Sequence, residues 1–178
     1  MAGISNERIG DALKAQGDLD AALRYYNANR EIFERLAKSD PGNNSRRRNL
    51  SVASSKVGRT LLEQGNFSDA LASFRVSLSI TEELAKTDPG NARWQVDLAI
   101  DNSDLAQMYT AAGDNASALR HFKISRDIME PFARKSGNIR WLGILRYYKR
   151  KIIELEIKVR FGSWTQRLNP MSWRTNQK

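Results

Sequence analysis

Few side chains in this sequence are equipped for bond-making chemistry, and their spacing narrows the field quickly. There is no cysteine in 178 residues, which excludes disulfides, thiolate zinc sites and cysteine nucleophiles. His121 is the single histidine, so no multi-histidine metal site can form, and no carboxylate stands at local helical spacing to orient it as a base. Asp97, Asp101 and Asp104 fall at i, i+4 and i+7, which places them on one face of a helix. That face reads as a charged outer stripe, or as a receiver for a basic peptide or a divalent ion. Arg46, Arg47 and Arg48 form a run suited to phosphate contact, or to plain solvation at a helix start. No phosphate loop, nucleophile–base pair or metal cluster is visible. The chemistry open to this chain is binding, not catalysis, and it calls for no cofactor.

Charge divides the chain. Residues 1–133 hold 17 Lys and Arg against 18 Asp and Glu, while residues 134–178 hold 12 against 2. The basicity is therefore a property of the C-terminal end alone. Its last stretch, 162–178, mixes Trp164, Leu168, Met171 and Trp173 with Arg167, Arg174 and Lys178, and Asn169-Pro170 interrupts any helix. Aromatic and basic residues together can sit at an anionic membrane surface or stack on single-stranded nucleic acid. The alternative for 162–178 is a frayed, disordered end. The first residues carry no apolar core of a signal peptide, and no stretch approaches 18 apolar residues, so the expected location is the cytoplasm.

The elements that must position these residues repeat. Ile9-Gly10, Val57-Gly58 and Leu105-Ala106 stand 48 residues apart in turn. A second glycine follows each at Gly17, Gly65 and Gly113, then Ala22-x3-Tyr26, Ala70-x3-Phe74 and Ala118-x3-Phe122. A fixed period of this length signals stacked structural repeats. Asp18, Asn66 and Asp114 are placed to cap a second helix after each glycine, and Asn43 and Asn91 to cap the helices after the Asp-Pro-Gly breaks. Trp141, Leu145, Tyr148, Ile152, Leu155 and Val159 make one further apolar seam at helical spacing. Residues 153–161 also alternate with period two, but helical neighbours would leave a strand unpaired. The pattern predicts seven helices near 4–16, 19–38, 44–64, 67–86, 92–112, 115–134 and 140–160, with no sheet. Repeats span about 1–42, 43–90 and 91–138, with a capping helix at 139–161.

The order Ile9-Gly10…Leu13…Gly17…Ala22…Tyr26, echoed from Val57-Gly58 and Leu105-Ala106, resembles the tetratricopeptide repeat. Two positions depart from that family: its usual tryptophan is replaced by Asn6, Ser54 and Asn102, and its closing proline by Glu34, Glu82 and Glu130. The lengthened unit is similar to those of kinesin light chains and related bacterial arrays. The resemblance implies a right-handed α-solenoid whose first helices line a concave groove for a protein or peptide. Carried onto this chain, the groove positions are Ser55, Arg59, Ser103 and Gln107, which recur at one helical phase beside the apolar positions, with Asn6 and Asn102 at the edge. The expectation is a non-enzymatic protein-binding module of all-α architecture. The alternative is nucleic-acid or anionic membrane-surface binding through the basic C-terminal segment.

Overall fold

Glycines and short polar side chains set where the helices stop and start. Gly17, Gly65 and Gly113 have φ of +85°, +78° and +81°, the left-handed backbone that ends a helix without a Cβ clash. After each, Asp18, Asn66 or Asp114 accepts the backbone N–H of Ala21, Asp69 or Ser117 and opens the next helix. Asn43 and Asn91 do the same for Arg46 and Trp94.

The computed structural model describes the backbone of residues 2–167 and the side chains of residues 5–161. It contains α1 (Ala2–Ala15), α2 (Leu19–Ser39), α3 (Asn44–Glu63), α4 (Phe67–Thr87), α5 (Ala92–Ala111), α6 (Asn115–Ser136) and α7 (Ile139–Arg167). No strand occurs among the described residues, and the period-two stretch at 153–161 is helical. Each helix packs closely on the one before and the one after, while the backbones of α3 and α5 stay farther apart and meet through side chains. The result is an α-solenoid of helix pairs. First helices (α1, α3, α5, α7) form one layer and second helices (α2, α4, α6) the other.

Within a pair, a small residue admits a ring. A Cβ added at Gly10 would lie 2.6 Å from the Tyr26 ring, and one at Gly58 would lie 2.6 Å from the Phe74 ring. Ala106 takes the same place in the third pair, where Phe122 is buried. The apolar interior falls into two clusters. One gathers Tyr26, Val57, Leu61, Phe74 and Leu105, and the other gathers Phe122, Met129, Leu145, Tyr148, Ile152 and Leu155.

Two details differ from the regular repeat. Pro131 lies inside α6, which nonetheless runs unbroken to Ser136 and closes on Gly137 at φ +62° instead of an Asp-Pro-Gly turn. Pro131 is exposed, so its ring meets solvent and not a packed neighbour. At the other end, α7 continues to Arg167, past the Phe161 boundary expected from the sequence. The rest of the aromatic and basic stretch, 168–178, lies outside the described residues.

Candidate functional site

The three aspartates that look like a surface stripe in the sequence go to three different places. Asp97 faces Arg48, which donates to both its carboxylate oxygens, one at 3.0 Å. Asp104 is buried and takes Arg59 in a forked pair, with Nε at 3.0 and 2.9 Å and Nη2 at 2.8 Å. Asp101 is buried without any cation. Hydroxyls surround it instead: Ser55 donates to Oδ1, and Ser77 and Thr81 donate to Oδ2, each at 2.8 Å. Ser51 extends the cluster through the Ser77 hydroxyl at 3.0 Å. The outer-stripe reading thus fails for Asp101 and Asp104, because helices α3 and α4 bring hydroxyls and a guanidinium over them.

Burial disfavours a carboxylate, and it pushes Asp101 up to about 7, with the neighbouring Asp104 adding repulsion and the three hydroxyls pulling the other way. Burial also raises Asp104, against the opposing pull of Arg59. The arginine run is not simply solvated either. Arg46 pairs with Asp40, Arg47 with Glu83 and Arg48 with Asp97.

Six polar positions were expected in a groove or at its edge, and the structure separates them. Ser55, Asn102 and Ser103 are buried. Asn102 Nδ2 donates to the Leu98 carbonyl at 3.0 Å, which turns its Oδ1 towards His121 Nδ1, also at 3.0 Å. With Oδ1 accepting, His121 must carry its proton on Nδ1. Burial lowers the pKa of this imidazole, and the ring stacks on Tyr109 at 5.5 Å. Arg59 is held by Asp104. Gln107 is exposed and donates weakly to Ser103, and Asn6 is half-buried on α1.

The first-helix layer does contain a groove, displaced from most of those six. One cleft of about 190 Å³ is lined by α3 and α5, including Ser55, Lys56 and Arg59. A second, of about 370 Å³, is lined by α3, α5 and α7, including Arg93, Val96, Arg140, Trp141 and Ile144. Arg48, Asp97 and Ile100 belong to both, so the two are continuous. Arg93 and Arg140 are exposed and make no ion pair among the described residues. Arg93-Trp94 recurs in the sequence as Arg140-Trp141, and the fold brings both arginines to one cleft.

Helix pairs stacked in chain order define an α-solenoid repeat protein. Residues 52–89 match the family profile of the tetratricopeptide repeat. The chain also aligns with the crystal structure of the de novo designed helical repeat protein DHR64, at 16% identity and a TM-score of 0.41, over 89% of this chain and 79% of that one. With MamA the identity is 19% and the TM-score 0.27, over 84% of this chain and 95% of that one. No curated protein matches the chain. The 48-residue register repeats the matched pattern on either side, so the chain is a helical repeat protein similar to the tetratricopeptide repeat family. Among the described residues no helix is long and apolar enough to cross a membrane.

Proposed function

We propose that the first-helix layer is a docking surface for an extended protein segment, and that the protein works by non-enzymatic binding. The observation that supports this is the continuous groove across α3, α5 and α7, whose floor of Val96, Ile100, Trp141 and Ile144 is apolar and whose rim carries Arg93 and Arg140. Apolar floor and unpaired polar rim together allow both burial and orientation of a peptide. Of the sequence-expected positions, Ser55 and Arg59 line this groove, while Asn6 and Gln107 would flank it on α1 and α5. Asn102 and Ser103 would act indirectly, by fixing the α5 backbone around Gln107.

A photo-crosslinking amino acid placed at Arg93 or Gln107, and separately at Val76 on the second-helix layer, tests the reading in an extract of the source cell. Discrete adducts from Arg93 or Gln107 and none from Val76 are expected. Adducts from Val76 alone would overturn it.

A second reading is anionic-surface binding through the basic C-terminal segment. One observation favours it: the most exposed large apolar side chains all lie on α7, among its cations.

A further inference from the structure

Helix α7 buries Leu145, Tyr148, Ile152 and Leu155 in the core cluster that it shares with α5 and α6. Its opposite face carries large apolar side chains into solvent. Ile139 is 82% exposed, Phe161 61%, Ile153 60% and Ile157 52%, whereas no other large apolar side chain among the described residues exceeds 46%. At 100° per residue, Ile139, Arg146, Arg150, Ile153, Ile157 and Phe161 fall within one arc of about 80°. Every one of them is exposed.

Charge says what could cover that arc. Residues 139–161 hold seven Lys and Arg against Glu154 and Glu156. Glu154 is already paired with Arg150 and Lys151, and Glu156 with Lys123, so the surface is cationic. A second copy laid on this face would set one cationic surface against another, a like-charge contact. A further helix of the ordinary repeat is also a poor fit. In register with Arg93 and Arg140, Ile153 stands where Gly10, Gly58 and Ala106 leave room for a ring of the following helix. An apolar stripe flanked by arginines, on a helix of 29 residues, instead matches a surface that is flat, negative and oily beneath. The sequence after Phe161 continues in kind, with Trp164, Arg167, Trp173, Arg174 and Lys178.

We propose that the outer face of α7 lies flat on an anionic bilayer, with Ile153, Ile157 and Phe161 entering the boundary between headgroups and acyl chains. Arg146 and Arg150 then meet lipid phosphates. This rests on the second reading above and commits it to one surface and one face.

The test is co-sedimentation of the full chain with vesicles of phosphatidylcholine alone or mixed equally with phosphatidylglycerol, alongside a labelled single-stranded oligonucleotide. Binding to the mixed vesicles only, weakened by salt, is expected. Ile153→Asp with Ile157→Asp should lower it by about tenfold or more, since each change removes an inserted side chain and adds repulsion. Arg146→Glu should lower it less. All these positions are exposed, and an unchanged helical circular dichroism spectrum confirms that the variants fold. Vesicle binding that survives the double substitution but is lost on deleting 168–178 would overturn the α7 face while sparing the C-terminal reading. Oligonucleotide binding without vesicle binding would do the same. Binding to neither would overturn both.

Discussion

The junction that joins α3 and α4 to α5 and the junction that joins α5 and α6 to α7 occupy the same register and use opposite chemistry. In the first, Asp101 sits among Ser55, Ser77 and Thr81. In the second, the position in register with Asp101 is Tyr148, buried beside Phe122, Leu145 and Ile152. Ser77 has its own counterpart in Ser125, also buried, whose hydroxyl simply closes on the His121 carbonyl of its helix. The repeat therefore fixes where helices cross but leaves the contact between them free to vary. An apolar contact tolerates any pH, whereas a buried carboxylate ties stability to proton concentration. The first pair shows a third solution. Ala53 stands in for the acid there, and its register partner Asn29 is buried with Oδ1 lacking a hydrogen-bond partner.

The sharpest way to break this contrast is to empty the apolar junction. Tyr148→Ala should cost about 3–5 kcal/mol, in the range for deleting a buried ring. A urea titration showing less than about 1 kcal/mol would mean that the α7 seam is not core, and that the two junctions differ less than their packing suggests.

Arg59→Glu strikes the polar junction at its edge. It removes the cation from buried Asp104 and adds a second carboxylate, so a loss of about 3 kcal/mol is expected. Any effect on partner binding would then follow from unfolding, so a thermal melt must accompany every binding measurement. A melt like that of the parent would show that Asp104 finds another partner.

Gly58→Ala tests the close approach that the central pair has and the third pair lacks. The new Cβ would meet the Phe74 ring at 2.6 Å, and a loss of about 1–3 kcal/mol should outweigh the gain in helix propensity. Ala106→Gly, where the methyl is already accommodated beside Phe122, should instead cost about 1 kcal/mol, from lost propensity and a small void. Losses at both sites from opposite changes would sharpen the comparison, whereas a stabilised Gly58→Ala would break it.

The last effect is one of slope. The Asp101 carboxyl titrates at about 7 when folded against 3.8 when free, so between those values the folded chain holds the extra proton. Stability from this group is full below about pH 4, falls as pH rises towards 7 and then levels. Asp101→Asn keeps an acceptor for the hydroxyls and loses the proton, so its melting temperature should vary less from pH 4 to 7 than that of the parent. Parallel pH profiles would show that the central junction does not titrate.

Much of the scaffold was legible in the sequence because turns act locally. Gly17, Gly65 and Gly113 and the five Asp and Asn caps each govern a few neighbouring residues, and every expected helix is present with ends shifted by at most a turn, except at the C-terminus of α7. The polar junction was not legible. Asp97, Asp101 and Asp104 share a face of α5, and spacing alone cannot tell a solvated face from one covered by Ser77 and Thr81 of one helix and Arg59 of another. A signal existed in the second repeat. Ser51, Ser55, Ser77 and Thr81 are small hydroxyls at core-facing phase, an unusual choice unless they surround something polar. The candidate groove was less legible: Ser55, Asn102 and Ser103 are buried, and the open cleft of the first-helix layer lies towards Arg93 and Arg140.

That the closest backbone packing joins helices adjacent in sequence has a consequence for how the chain reaches this shape. Nearly every close backbone approach joins a helix to its neighbour in sequence, so no long loop must close before a helix finds its mate. Topologies of such low contact order acquire structure within roughly microseconds to milliseconds. Folding can also begin at any of the hairpins and spread in both directions. A nascent chain would have its first pair assembled while the last was still being synthesised, with the polar junction setting as the middle helices meet.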